Sequence, residues 1–257
     1  MTGQPLVAAE RASFGYEPGT VVLAEVSATL AGGELVIVLG PNGGGKTTLF
    51  RALTGELSPL EGSLAVRAPV AYLPQRDASR IDFPVSAIDV VMMGLLAERK
   101  FWQRTRGRDR QRALAALEKV GLSEHADRTY GELSGGQRRR VLLARTIVGG
   151  AQILLLDEPL AGVDPRSAEE IRRALDALRD EGRLVIEASH DIDHARGADR
   201  VICLSGRVIA DGDPDSTLTD AVLRETYAGE ISVIRDQEGR AVLAATEPCA
   251  HDHEAGE

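Results

Sequence analysis

The chain holds 257 residues, 43% hydrophobic and 27% charged, enough for one large domain or two small ones around a buried core. Its formal charge of −9 argues against non-specific nucleic-acid binding, which needs a basic face. There is no N-terminal signal pattern, no apolar run near the roughly 20 residues that span a bilayer, and no disulfide framework in Cys203 and Cys249, so a cytosolic, reduced protein is expected.

Through about Ala65, short apolar runs alternate with turns, which predicts an antiparallel β-layer. "ELVIVLG", from Glu34 to Gly40, is continuous rather than alternating and predicts a fully buried strand. It runs into a glycine loop and a helix opening at "KTTLFRAL". "VAYLPQ" predicts a further strand ending at Gln75. The texture then turns helical and basic, with "SAIDVVMMGLLAE" and "DRQRALAALEKVGL", which predicts a helical subdomain inserted at about 76–150. Next come a helix at "QRRRVLLARTIVGG", a buried strand at "QILLLDEP", a helix with Ile171, Leu175 and Leu178 on one stripe, and a strand at "RLVIEASH". Strand and helix alternating in this way predict an α/β fold with a largely parallel sheet covered on both faces. "ISVIRDQEGRAVLAA" predicts a hairpin before a polar tail, so the expected division is 1–228 and 229–257.

"GPNGGGKT" fits G-x-x-x-x-G-K-S/T, and it lies between a buried strand and a helix, the context that the phosphate-binding motif requires. Gly40, Gly43 and Gly45 let backbone N–H groups turn inward around phosphate oxygens, and the helix from Lys46 points its positive end at the same anion. Lys46 is expected to reach the β- and γ-phosphates and the Thr47 hydroxyl to ligate Mg²⁺; Pro41, Asn42, Gly44 and Thr48 complete the loop. In "ILLLDEP" a buried strand emerges with Asp157 and Glu158, two carboxylates suited to metal-assisted hydrolysis. Asp157 would hold Mg²⁺ and Glu158 would activate the attacking water. His190 closes another apolar strand, and Gln75 ends a third; both sit where ligands bind in open α/β sheets. From spacing alone, each is more often an incidental polar residue.

A second glycine loop, "LSGGQ" at Leu133 to Gln137, leads into a helix but carries no lysine. The ordered set "GPNGGGKTT", "YLPQ", "LSGGQ", "ILLLDEP", "GVD" and "SH" resembles the ATP-binding cassette ATPases of ABC transporters, over roughly residues 5 to 225. The resemblance implies a P-loop ATPase core with an antiparallel β-layer and an inserted helical subdomain. It also implies a head-to-tail pair of nucleotide-binding subunits, in which each ATP lies between one phosphate loop and the other subunit's signature loop. Ser134, Gly135, Gly136 and Gln137 would then face the partner's nucleotide, and Asp164 would cross the interface. Tyr16 would stack on adenine, for which ordinary β-layer packing is the alternative. Gln75 would touch Mg²⁺ or the attacking water, and His190 would bind the γ-phosphate.

A chromosome-organising cassette would need a long coiled coil between the two glycine loops, and that gap contains prolines. A ribosome-acting factor of this superfamily would carry two cassettes. The resemblance therefore implies a peripheral subunit on the cytoplasmic face of the cell membrane, working with membrane-spanning subunits and a solute-binding protein. "FPVSAIDVVMMGL", "GVDP" and the terminal hairpin are most similar to the ATPases of zinc/manganese-type importers; iron-chelate importers are the alternative. Cys249, His251 and His253 in the tail are candidate metal ligands or simply a disordered end. The arginines around Phe101 and Trp102 suit either a membrane-subunit or lipid contact or a solvated loop.

Overall fold

The computed structural model describes residues 4–17, 19–75, 84–96, 107–227, 231–235 and 241–245. Strands β1 (Val7–Phe14) and β2 (Leu23–Leu30) pair antiparallel. They are followed by β3 (Leu35–Leu39), α1 (Lys46–Leu53), and β4 (Glu61–Val66), which pairs antiparallel with the other side of β1. These three outer strands form the expected β-layer, in the order β2-β1-β4, while β3 leaves it for the larger sheet. Strand β5 (Val70–Leu73) ends two residues before Gln75, because Pro74 has no N–H to continue a ladder.

Helices α2 (Ala87–Met93), α3 (Gly107–Lys119) and α4 (Gly135–Ile147) pack on one another as the helical subdomain. Helix α2 starts at a capping box, in which the Ser86 hydroxyl accepts from the Asp89 N–H and the Asp89 carboxylate accepts from the Ser86 N–H. Next come β6 (Ile153–Asp157), α5 (Pro165–Asp180), β7 (Leu184–Ser189), α6 (Ile192–Ala195), β8 (Arg200–Leu204) and β9 (Val208–Gly212). Helices α7 (Pro214–Thr217) and α8 (Asp220–Tyr227) precede β10 (Ile231–Arg235) and β11 (Ala241–Ala245), which pair antiparallel with each other. Phe101, Trp102, Cys249, His251 and His253 lie outside the described residues.

The six-stranded sheet runs β5-β6-β7-β3-β8-β9, parallel except for β9. Side chains alternate faces along a strand, so β3 feeds two cores at once. Leu35, Ile37 and Leu39 join the helices on one face, including Ile171, Leu175 and Leu178 of the predicted stripe. Val36 and Val38 pack on the other with α1 and the β-layer. A sheet buried on both faces reads as a continuous apolar run, and all five residues of β3 are buried. Register then sets the site: Leu39 pairs with Ser189, Ala188 with Asp157, and Leu156 with Leu73. The chain segments leaving β3, β5, β6 and β7 therefore gather at one carboxyl edge of the sheet.

Candidate functional site

Leaving β3, the chain cannot carry a side chain at position 40. A Cβ on Gly40 would stand 2.2 Å from the Leu204 carbonyl oxygen, at the end of β8. At Gly45, with φ 101°, a left-handed residue turns the loop into α1. Inside this turn the Lys46 ammonium donates to the carbonyls of Gly40 at 2.6 Å and Pro41 at 2.9 Å, so its charge is held over the loop. Tyr16 and Thr48 join their hydroxyls at 3.1 Å, and the Arg51 guanidinium lies 5.4 Å from the Tyr16 ring centre. One face of that ring is taken by a cation, while the residue stays 49% exposed. Tyr16, Pro41, Asn42, Gly43, Gly45, Lys46, Thr47, Thr48, Gln75, Asp157 and Glu158 line one open cleft.

On the far wall the two adjacent carboxylates part company. Asp157 ends β6, where burial raises its pKa; the hydrogen bond from the Tyr72 hydroxyl at 3.3 Å opposes that shift. The Tyr72 phenol is itself pushed up to about 12 by burial and by Asp157. Glu158 has φ 47°, left-handed for a residue with a Cβ, a strain typical of functional positions. Its N–H donates to the Ala188 carbonyl. Its side chain accepts a 2.6 Å hydrogen bond from Gln75 and lies 3.6 Å from His190 Nδ1. Three loops from three strands thus meet on one carboxylate.

Ser134, Gly135, Gly136, Gln137 and Asp164 are not among the residues lining that cleft. Ser134 caps α4, accepting from the Gln137 N–H at 3.2 Å, while Gln137 Oε1 accepts from the Ser134 N–H at 3.0 Å. Gln137 Nε2 lies 3.1 Å from His125 Nε2, and since an amide nitrogen only donates, the ring accepts there. A Cβ on Gly136 would fall 2.3 Å from Ser167 Oγ and 2.5 Å from Asp164 Oδ2, so the two helix starts touch at this glycine. Asp164 caps α5, accepting from the Ser167 N–H at 3.0 Å, and these bonds hold its carboxyl below the usual range.

Sequence reading missed Arg139 and Tyr72. Arg139 stands four residues before Leu143 and eight before Ile147, and that helical stripe places it on the buried side. No sequence signal marks the Tyr72–Asp157 pair.

Residues 23–161 match the ABC transporter family. The chain belongs to that family. Its relatives include the zinc transport system ATP-binding protein TroB of Treponema pallidum, 38% identical over 82% of this chain and 83% of that one. The manganese transport system ATP-binding protein MntB of Bacillus subtilis is 35% identical over 84% and 90%. Among solved structures, cbiO1 of Clostridium perfringens, part of the ABC transporter complex cbiONQ, superposes with a TM-score of 0.75 at 29% identity, covering 87% of this chain and 94% of that one. As a cassette of this family the chain is a transporter subunit that hydrolyses ATP. Among the described residues no helix is long and apolar enough to cross a membrane.

The oxygen donors of Thr47, Gln75 and Asp157 are hard ligands that suit Mg²⁺. Among the described residues no group of three or more His, Cys, Asp and Glu is arranged to hold a metal ion.

Proposed function

We propose that this subunit powers import of a divalent transition metal, manganese or zinc, as one of two cassettes packed head to tail. They sit on the cytoplasmic face of the membrane with membrane-spanning subunits and a solute-binding protein. The cargo rests on the named roles of the Treponema and Bacillus relatives. The hydrolytic part rests on one observation, the convergence of Gln75 and His190 on Glu158.

Residues 1–228 form the nucleotide-binding domain, with the helical subdomain at about 76–150, and 229–257 form an appended hairpin and tail. The loop from Gly40 to Thr48 takes the triphosphate, with Lys46 moving from its own carbonyls to phosphate oxygens. The exposed face of Tyr16 takes adenine. Thr47, Gln75 and Asp157 would hold Mg²⁺, which would neutralise charge on the phosphates. Glu158 takes the proton of the water as its oxygen bonds to the γ-phosphorus and the bond to the bridging oxygen breaks. His190 donates to a γ-phosphate oxygen. Ser134, Gly135, Gly136, Gln137 and Asp164 serve the nucleotide of the second copy, which accounts for a glycine loop without a lysine.

The test is Glu158→Gln, in the purified chain and in cells lacking the gene. A base contributes about 10²–10⁴ in rate, so ATP should still bind while turnover falls by at least that lower figure. Deletion should lower cellular manganese or zinc under scarcity, and the glutamine variant should not restore it. Hydrolysis at the wild-type rate would remove Glu158 as the base. Unchanged metal content with lost uptake of another solute would discard the cargo alone.

A further inference from the structure

The buried Arg139 belongs to α4, the helix that Ser134 opens, yet its guanidinium reaches across to the far wall of the nucleotide cleft. Nη1 donates to the carbonyls of Pro74 at 3.0 Å and Gln75 at 3.4 Å. Nη2 donates to those of Asp157 at 2.9 Å and Glu158 at 3.0 Å, and Nε to that of Pro159 at 3.2 Å. A guanidinium has five N–H donors in a rigid fork, and here five backbone carbonyls from two separate loops receive them. With only 9% of the residue exposed, little water is available to replace any of these bonds, and an unpaired buried carbonyl is costly.

We propose that Arg139 is a positioning residue for hydrolysis. Its fork holds the peptide planes at Gln75 and Glu158 in one register, so that the Gln75 amide meets the Glu158 carboxylate, and it fixes both to the signature helix. The left-handed Glu158 has its carbonyl held by Nη2 and its N–H held by Ala188, which leaves its peptide no freedom to relax. Because α4 starts at Ser134, any shift of the signature loop moves the same guanidinium. One chain therefore links the loop it lends to the partner's nucleotide with the carboxylate that acts on its own. This rests on Glu158 and Gln75 acting in hydrolysis.

The test uses Arg139→Lys and Arg139→Gln in the full-length chain. Lysine keeps the charge but offers three donors from one point, and glutamine offers two, so neither spans both loops. Nucleotide affinity, measured with a fluorescent ATP analogue with and without Mg²⁺, should stay within threefold of wild type, because the loop from Gly40 to Thr48 is untouched. A misplacement of about 1 Å costs on the order of 100-fold, so kcat per bound nucleotide should fall about 100-fold while KM changes little. In a Gln75→Ala background the same substitutions should cost less than tenfold, since groups acting as a unit are not additive. A kcat within threefold of wild type, or a full loss repeated in the Gln75→Ala background, would overturn the proposal. Glu158→Gln is run beside them: if it hydrolyses normally, the hydrolytic reading has failed and this one with it; if it is inactive, the Arg139 result stands on its own.

Discussion

Strand β7 carries a carboxylate in its middle, and its only bonded partner among the described residues is a histidine. Glu187 is fully buried; Oε2 lies 3.0 Å from His194 Nε2, and Oε1 has no partner. The other ring nitrogen of His194, Nδ1, accepts from Arg172 Nε at 3.4 Å, and Asp191 stands on the same turn. Burial alone would lower the pKa of His194, but the hydrogen bond and charge of Glu187 outweigh it, with Asp191 adding to them and Arg172 opposing, so the value is raised. A raised histidine stabilises the fold fully below its unfolded value of about 6.5, and that contribution is lost as pH rises through the raised folded value. Replacing the ring by His194→Phe leaves a buried carboxylate with nothing to bind, at a cost of about 3–5 kcal/mol. For a chain of this size each kcal/mol moves Tm by about 2–4 °C, so a drop of about 6–20 °C is expected in calorimetry at pH 7. The double change Glu187→Leu with His194→Phe should recover most of the loss, since apolar replacement of a buried pair is often neutral. A His194→Phe protein that melts within 2 °C of wild type would refute this account.

Gly94→Ala would bring a Cβ to 2.0 Å from the Arg145 carbonyl oxygen and 2.7 Å from a Val148 methyl, so α2 and α4 must part. Overpacking of this kind costs about 1–3 kcal/mol, seen as a lower Tm with ATP affinity unchanged; an unshifted Tm would mean that the helices yield freely. Ser134→Arg should leave nucleotide binding by the monomer intact but prevent ATP-driven dimerisation on the Glu158→Gln background. Size-exclusion chromatography with ATP reads this, and full dimerisation would remove the composite site.

Much of the fold is legible in the chain because local rules and tertiary position agree. The unbroken run Leu35–Leu39 can only be a strand covered on both faces, and the Ile171, Leu175, Leu178 stripe has one buried side. The cleft is legible for the same reason: its residues sit at strand ends, and a parallel sheet brings those ends together. What escapes is side-chain pairing that no motif or periodicity marks. Arg139 reads as part of a basic run, "QRRR", yet it is spent on carbonyls at residues 74, 75, 157, 158 and 159. Glu187 reads as a polar break in an apolar strand, and nothing local names His194 as its partner. Tyr72 looks like an ordinary strand aromatic until Asp157 lies beside it.

Asp157 and Glu158 show how one backbone angle sends two neighbouring carboxylates to different partners. In a continuing strand, adjacent side chains point to opposite faces, and Glu158 would turn away from the cleft or into the core. The left-handed conformation at φ 47° breaks the alternation. Asp157 stays at the half-buried strand end against Tyr72, while Glu158 swings to Gln75 and His190. A glycine would adopt that angle without penalty, whereas a residue with a Cβ is strained there by about 1–2 kcal/mol. The strain persists because the surrounding bonds, from Arg139 to its carbonyl and from its own N–H to Ala188, leave no alternative. A carboxylate at a glycine-favouring position is thus a local cost in stability that places the Glu158 side chain at the edge of the cleft, beside the half-buried Asp157 rather than behind it.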